Sequence, residues 1–173
     1  MNPEEPQMDR GKKSLIGRLW PLLLFVAAIF VSSSTVITPK QFVHAVSRYS
    51  PIKLSEQEFS QFWSAWWWLF VKGWHFTQFG IVFLALRYVL GGKRVWLAII
   101  ISCLLAASDE IHQLSVPGRG GHVSDWLIDV LGIAVVWAFV HFKAAPSKIK
   151  WPLYLALVVA SLFIVRLLAL NPF

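Results

Sequence analysis

Residues 95–142 read VWLAIIISCLLAASDEIHQLSVPGRGGHVSDWLIDVLGIAVVWAFVHF. An apolar run from Val95 to Ala107 is followed by a polar segment, and a second apolar run extends from about Trp126 to Phe142. Apolar runs separated by a turn rich in Gly and Pro predict two membrane-spanning helices joined by a polar connection. Because only 13 plainly apolar residues precede Ser108, the first of these helices must carry its polar end into the membrane.

The composition of the whole chain is that of a membrane protein. The 173 residues are 57% hydrophobic and 14% charged, with a mean hydropathy of +0.60, whereas a soluble domain carries about 25% charged residues. Three further apolar runs predict spans at about residues 19–37, 66–90 and 152–170. The predicted fold is therefore an all-α polytopic bundle of about five transmembrane helices, without a separate soluble module.

The positive charges predict the topology. The formal net charge is +7, which in so apolar a chain indicates membrane orientation and attraction to anionic lipids, and nucleic acid is not an expected partner. Residues 1–18 form a basic tail, and residues 143–173 form a short basic loop followed by the fifth span. With the N-terminus in the cytoplasm, these basic segments lie inside and the connection between the third and fourth spans faces outward. A signal peptide is the competing interpretation of the first run, but a clear cleavage site is missing.

The first outer loop contains two predicted helix starts. Thr38, Pro39 and Gln41 have the pattern of an N-cap, a first-turn proline and a capping-box partner, and Ser55 with Glu58 forms a second capping box. The tryptophans that follow predict an aromatic belt at the membrane surface, with carbohydrate stacking as the alternative; they are Trp63, Trp66, Trp67 and Trp68.

Residues 108–132 hold four of the nine acidic residues of the chain. An ionisable side chain at membrane depth costs ~2.5 to 3.5 kcal/mol on insertion scales, so these carboxylates need partners or a function. On a helix, Asp109, His112 and Gln113 share one face, and Glu110 also neighbours Gln113. A purely structural role for the segment is the least favoured interpretation.

The turn and the next helix add an anion-binding candidate and two further acids. Arg119 lies between Pro117-Gly118 and Gly120-Gly121, and its planar guanidinium matches phosphate or carboxylate bidentately. Ser124 is a candidate N-cap. Asp125 and Asp129 are spaced i, i+4 along one helix face, and Gly132 on the same stripe would let another helix come close.

The second span carries its own polar set. Lys72, His75 and Gln78 are successive i+3 neighbours among aromatic residues, so they could face the same pocket as the acids and supply a cation and a second imidazole. The alternative is that Lys72 snorkels to the interface while His75 forms a hydrogen bond inside the bundle. If the third and fourth spans form a hairpin, the polar residues of both converge on one outward-facing pocket; these are Asp109, Glu110, His112, Arg119, Asp125 and Asp129.

The run DEIHQLSVPGRGGHVSDWLIDVLG resembles the motif of the VanZ-like family, in which an acidic pair, His and Gln precede a Pro-Gly-Arg turn and an Asp-rich helix that ends in Gly. The serines at 32–34 and the segment KGWHFTQFG at 72–80 are similar to two further family elements. Gln78 stands where many relatives have an acid, and Asp129 where Asn is frequent. With residues 19–142 as the VanZ-like domain, the resemblance implies a small bacterial envelope protein of the inner membrane. The founding member is associated with low-level teicoplanin resistance.

Two classes of function remain. In the first, the protein is an enzyme that acts on a lipid-linked phosphate or an envelope glycolipid. Arg119 and Lys72 or His75 would hold the anion, His112 would act as general acid or base, and the carboxylates would orient it or ligate a cation such as Mg²⁺. In the second, the same pocket binds a lipid or a glycopeptide-related ligand, or carries protons in a small transporter. The sequence leaves the metal, any cofactor and the oligomeric state open.

Overall fold

The computed structural model describes residues 15–36, 39–49 and 55–170. The elements in these ranges are helices: α1 (Leu15–Ser33), α2 (Pro39–Tyr49), α3 (Glu56–Val89), α4 (Val95–Leu114), α5 (Val123–His141) and α6 (Ser147–Leu170), with a 3-10 turn at Phe142–Ala144 between the last two. Helices α3 to α6 are each long and apolar enough to cross a membrane, and α1 is a shorter apolar helix. The predicted helical membrane bundle is therefore confirmed. Most of the basic tail and the proposed cap at Thr38 lie outside the described residues.

Helix α1 ends earlier than the sequence predicts. The apolar run continues toward residue 37, but the helix stops at Ser33. The Ser32 hydroxyl donates to the Ile29 carbonyl at 2.8 Å, the Ser33 hydroxyl oxygen lies 2.8 Å from the same carbonyl, and the Ser34 hydroxyl donates to the Phe30 carbonyl at 2.7 Å. Side-chain hydrogen bonds of this kind compete with the backbone pattern of the helix. The serine triplet therefore forms the end of α1.

Helix α3 begins at Glu56, well before the predicted span start at residue 66, and the capping box between Ser55 and Glu58 is confirmed on both sides. Its 34 residues give a length of about 50 Å at ~1.5 Å per residue, which exceeds a hydrocarbon core of about 30 Å. The extra length places Phe59 and Trp63 in the N-terminal turns of α3, before the predicted span start. Helix α2 packs there through Phe42, whose ring centroid lies 5.0 Å from that of Phe59.

The start of α5 corrects one prediction. The helix begins at Val123 with His122 as N-cap, so Ser124 lies inside the first turn and is not the cap. The reason is tertiary, because the His122 backbone N–H donates to the Glu110 side chain of α4 at 2.9 Å. The contact sets the start of the helix two residues earlier than a cap at Ser124 would. The N-terminal bounds of α6 also differ, since Pro152 lies within the helix.

The bundle is built around the crossing of α3 and α5. A Cβ atom added at Gly132 of α5 would lie 2.0 Å from the Phe76 carbonyl oxygen of α3, so the two backbones touch as the sequence predicted. The α4–α5 hairpin places the end of α4 beside the start of α5, and the end of α1 lies at the same level. We call this the site end of the bundle.

The apolar core lies below the site end. Its members from α3 to α5 are almost fully buried: Phe79, Val82, Phe83, Ala98, Ala106 and Ile133. Many large apolar side chains elsewhere are exposed, such as Trp96, Leu104 and Phe163, as expected where a helix surface faces lipid rather than water. The buried ionisable side chains of the described residues are gathered at the site end, where α4 ends and α5 begins.

Candidate functional site

Asp109 connects α1 and α4. It is fully buried, and its carboxylate accepts a hydrogen bond from the Ser33 hydroxyl at 2.6 Å and another from the Gln113 amide at 2.9 Å. The predicted pairing of Asp109 with Gln113 on one helix face is confirmed. Ser33 was not among the predicted site residues, although it belongs to the serine triplet that the sequence singles out. Its hydroxyl makes the end of α1 part of the site.

Glu110 joins α4, α3 and the turn. It accepts from the His122 backbone N–H at 2.9 Å and from the Gln113 amide at 3.4 Å, and its Oε1 lies 3.7 Å from His75 Nδ1. The turn can come this close because a Cβ at Gly121 would lie 2.2 Å from the Glu110 carbonyl oxygen. Glycine is therefore required at this position for the turn to fold back on α4.

Two ionisable pairs bridge α3 and α5. The Lys72 ammonium group donates to Asp125 Oδ1, and both side chains are buried. One turn deeper, His75 Nδ1 lies 3.3 Å from Asp129 Oδ1. Both residues of α3 thus turn inward to the acids, and the alternative in which Lys72 snorkels to the interface is wrong. The spacing i, i+3 on α3 matches the spacing i, i+4 on α5, since both put successive side chains on one face.

Several buried polar atoms of the site have no hydrogen-bond partner among the described residues. They are both carboxylate oxygens of Asp129, His75 Nδ1, Gln78 Oε1 and the Ser124 hydroxyl. Most buried polar groups in native proteins are paired, so each exception calls for an explanation. The charges are also unequal, because four buried carboxylates face one buried ammonium group in this cluster.

His112 does not join the acids, contrary to the predicted convergence. Its Nε2 lies 2.8 Å from the Ser34 hydroxyl, and its ring packs against Phe30 at a centroid distance of 5.4 Å. A shift of one residue from Gln113 turns a helical side chain by ~100°. His112 therefore faces α1, and the imidazole among the carboxylates is that of His75.

Arg119 lies at the end of α1. Its Nη1 donates to the Ser33 carbonyl at 2.6 Å and to the Ser32 carbonyl at 3.3 Å. A cation at a helix C-terminus satisfies carbonyl groups that have no partner within the helix. Arg119 thus secures the turn to α1, in addition to the anion-binding role that the sequence predicts.

A cavity of about 300 Å³ opens between α1, α3 and the turn. Its wall includes Ser33, Trp63, Trp74, His75, Gln78 and Arg119. The guanidinium, the imidazole and an amide therefore reach one space that is flanked by tryptophans. A second cavity of about 250 Å³ lies between α4 and α5, with Glu110, His122 and Trp126 in its wall. Glu110 is thus accessible from the second cavity and not from the first.

Three of the buried side chains are placed to share a cation. One donor atom each of His75, Glu110 and Asp125 lies within 4.8 Å of the others. The sequence predicted that all three could face one pocket, but it could not show that these three donor atoms come within reach of a single ion, because they lie on three different helices.

The chain matches the family described as VanZ/LLP1 over residues 19–144. It belongs to the VanZ/LLP1 family. The match covers α1 to α5, and hence every residue of the buried cluster, while α6 lies beyond it. Family membership and the long apolar helices together make this a multi-pass membrane protein. No curated protein and no solved structure is significantly similar to the chain.

Proposed function

We propose that this VanZ-like protein is a membrane-embedded enzyme that acts on a lipid-linked phosphate of the bacterial envelope. The main support for the proposal is the cavity whose lining includes both Arg119 and His75. A guanidinium group has five N–H donors in a planar fork. Both hydrogen bonds of Arg119 to α1 use Nη1, so the other nitrogen atoms can bind a phosphate group.

The position of the cavity supports a lipid substrate. Trp63 and Trp74 flank the cavity, and tryptophan side chains favour the interface between lipid and water. The polar cluster lies at the end of α4 and the start of α5, which would place it next to that interface. A lipid phosphate could therefore enter the cavity while its hydrocarbon chain stays in the bilayer.

The groups behind Arg119 have the chemistry that phosphoryl transfer needs. His75 Nδ1 is directed to Asp129 and Glu110. Nε2 is therefore the ring nitrogen that can contact a substrate in the cavity. Phosphoryl transfer depends on positioning and on neutralising charge, which Arg119 supplies, and on a group that moves a proton or holds a cation. His75, with the carboxylates beside it, would move the proton or hold the cation. This is the acid–base role that the sequence predicts for His112.

The proposed location is the inner membrane with the N-terminus in the cytoplasm. Arg18 at the start of α1 and the basic residues around Lys93 and Lys148 lie at the end of the bundle opposite the site. Because basic segments stay in the cytoplasm, the site would open toward the outer face. Membrane lipids are therefore the expected partners.

Two measurements on protein in lipid nanodiscs test the proposal. Native mass spectra should show a phosphorylated lipid bound to the wild type and lost in Arg119→Ala. Nanodiscs that contain polyprenyl phosphate or polyprenyl diphosphate should then release inorganic phosphate, with water as the acceptor. The release should be abolished in His75→Ala and retained in His112→Ala, the matched imidazole control. Binding without turnover in the wild type would instead support the non-enzymatic binder. The absence of both binding and turnover would overturn the proposal.

A further inference from the structure

The buried cluster between α3, α4 and α5 combines the donor atoms that a metal ion needs. His75, Glu110 and Asp125 each offer one ligand atom within 4.8 Å of the other two. All three side chains are buried, and each lies on a different helix. Ligand bonds of about 2.0–2.2 Å at a tetrahedral angle put donor atoms about 3.4 Å apart, so the edges of this triangle would have to shorten by up to about 1.4 Å when the ion binds.

The charge of the cluster also favours a cation. Asp109, Asp129 and the two acids of the triangle are no more than 7% exposed, while Lys72 is the one ammonium group buried among them in the described chain. Arg119 is directed to the carbonyl groups of α1. Buried carboxylates in excess of cations are costly in a medium of low dielectric constant. A divalent ion would reduce this excess of negative charge.

Asp129 is a second and independent indication. It is 0% exposed, and both of its oxygens have no hydrogen-bond partner in the described structure. Oδ1 lies 3.3 Å from His75 Nδ1, which also has no hydrogen-bond partner there. The carboxylate is thus directed at the ring nitrogen of the triangle, and a metal ion at that point would satisfy both groups.

We propose that His75, Glu110 and Asp125 bind a divalent transition-metal ion, with Asp129 as the adjacent carboxylate. Imidazole suits Zn²⁺ and iron, and carboxylates suit Mn²⁺, so a mixed set favours Mn²⁺ or Zn²⁺ over Ca²⁺. Asp125 can keep Lys72 on one oxygen and bind the ion with the other. The cavity beside His75 gives the ion a path to the site.

The ion also has a place in catalysis. It would lie behind the wall that carries Arg119, where a metal ion can neutralise charge on a phosphate group. This catalytic part of the inference rests on the proposed function, whereas the binding of the ion does not. The two can therefore be tested separately.

The binding test uses full-length protein in nanodiscs that is stripped with EDTA and then dialysed against Mn²⁺ or Zn²⁺. Metal analysis should find about one ion per chain, as expected for a specific site. Pulsed electron paramagnetic resonance of the Mn²⁺ form should show coupling to an imidazole nitrogen. The coupling should disappear in His75→Ala, and Glu110→Gln or Asp125→Asn should weaken binding at least tenfold.

Three further variants separate ligation from folding. His112→Ala and Glu58→Gln remove an imidazole and an exposed carboxylate outside the triangle, so they should bind the ion as the wild type does. Asp129→Asn keeps the shape of the side chain but removes a carboxylate that is directed at the ion, so it should also weaken binding at least tenfold.

The outcomes are distinct. Nitrogen coupling and saturable binding in the wild type support the site even if a ligand variant fails to fold. The proposed site is overturned if the wild-type protein binds neither ion, or if bound Mn²⁺ shows no coupling to an imidazole nitrogen. A bound ion without turnover refutes only the proposed function, and turnover that persists in EDTA with no bound metal refutes only the part of the ion in catalysis.

Discussion

The close crossing of α3 and α5 predicts a large effect for the smallest possible substitution, Gly132→Ala. The added Cβ would lie 2.0 Å from the Phe76 carbonyl oxygen and 2.9 Å from its carbonyl carbon, whereas real Cβ atoms essentially never approach closer than 3.0 Å. Both of the obstructing atoms belong to a helix backbone and cannot rotate away. The helices must therefore separate by about 1 Å at the crossing, as overpacked cores do by backbone shifts.

The separation of the two helices should lower the free energy of unfolding and also disturb the geometry of the site. Overpacking of this kind destabilises by about 1–3 kcal/mol, and the upper part of this range is expected because the obstacle is backbone. The pairs that bridge the same two helices, Lys72 with Asp125 and His75 with Asp129, would lengthen together. Both binding of a metal ion and turnover should therefore fall along with stability.

Two glycines of α3 provide matched controls. A Cβ at Gly73 meets nothing within 4 Å, and one at Gly80 lies 2.8 Å from a Val136 methyl group, which belongs to a side chain that can move. Gly73→Ala should be neutral or gain up to about 1 kcal/mol from helix propensity. Gly80→Ala should fall between Gly73→Ala and Gly132→Ala.

Unfolding in mixed micelles of a mild detergent and SDS, followed by tryptophan fluorescence, measures the free energy of each variant. We expect the SDS fraction at the midpoint to decrease in the order Gly73→Ala, Gly80→Ala, Gly132→Ala. If Gly132→Ala unfolds at the same SDS fraction as Gly73→Ala, the two backbones do not touch at this crossing and the reasoning is refuted.

Three further substitutions test individual contacts. Lys72→Met leaves a buried acid unpaired and should cost about 3–5 kcal/mol, and the double variant with Asp125→Asn should recover much of this loss; equal loss in both would contradict the pairing. Tyr154→Phe removes the hydroxyl that donates to the Phe139 carbonyl at 2.8 Å, so a loss of about 0.5–1.5 kcal/mol is expected in the same unfolding assay. Arg119→Lys keeps the charge but loses the planar fork; phosphate binding measured by native mass spectrometry should weaken, and unchanged binding would argue against a bidentate contact.

Local chemistry explains where sequence reasoning succeeded. The capping box at Ser55 and Glu58 is a pattern of neighbouring residues, so it could be identified without the fold. The pairing of Asp109 with Gln113 follows from helix geometry alone. The close approach at Gly132 was predicted because a missing side chain on a buried stripe has few other uses.

Contacts between residues that are distant in the chain explain which predictions from the sequence were wrong. Ser124 has the chemistry of an N-cap, but the Glu110 side chain holds His122 and sets the start of α5. His112 shares a helix face with Asp109 only loosely, and the position of α1 decides that it contacts Ser34. In both cases a contact with another helix or its end outweighed a local preference; for His122 the reason is that the buried Glu110 carboxylate would otherwise lose a hydrogen bond.

The sequence by itself determined that the chain is a helical membrane protein, which residues are polar at membrane depth, and to which family it belongs. Hydrophobic length and the cost of charge in lipid are properties of each segment, so no fold is needed to recognise them. Only the tertiary structure decided that His75, Glu110 and Asp125 share one point and that His112 does not. Their grouping depends on how closely three helices cross, and the glycines set that distance through contacts with backbone atoms far away in the chain.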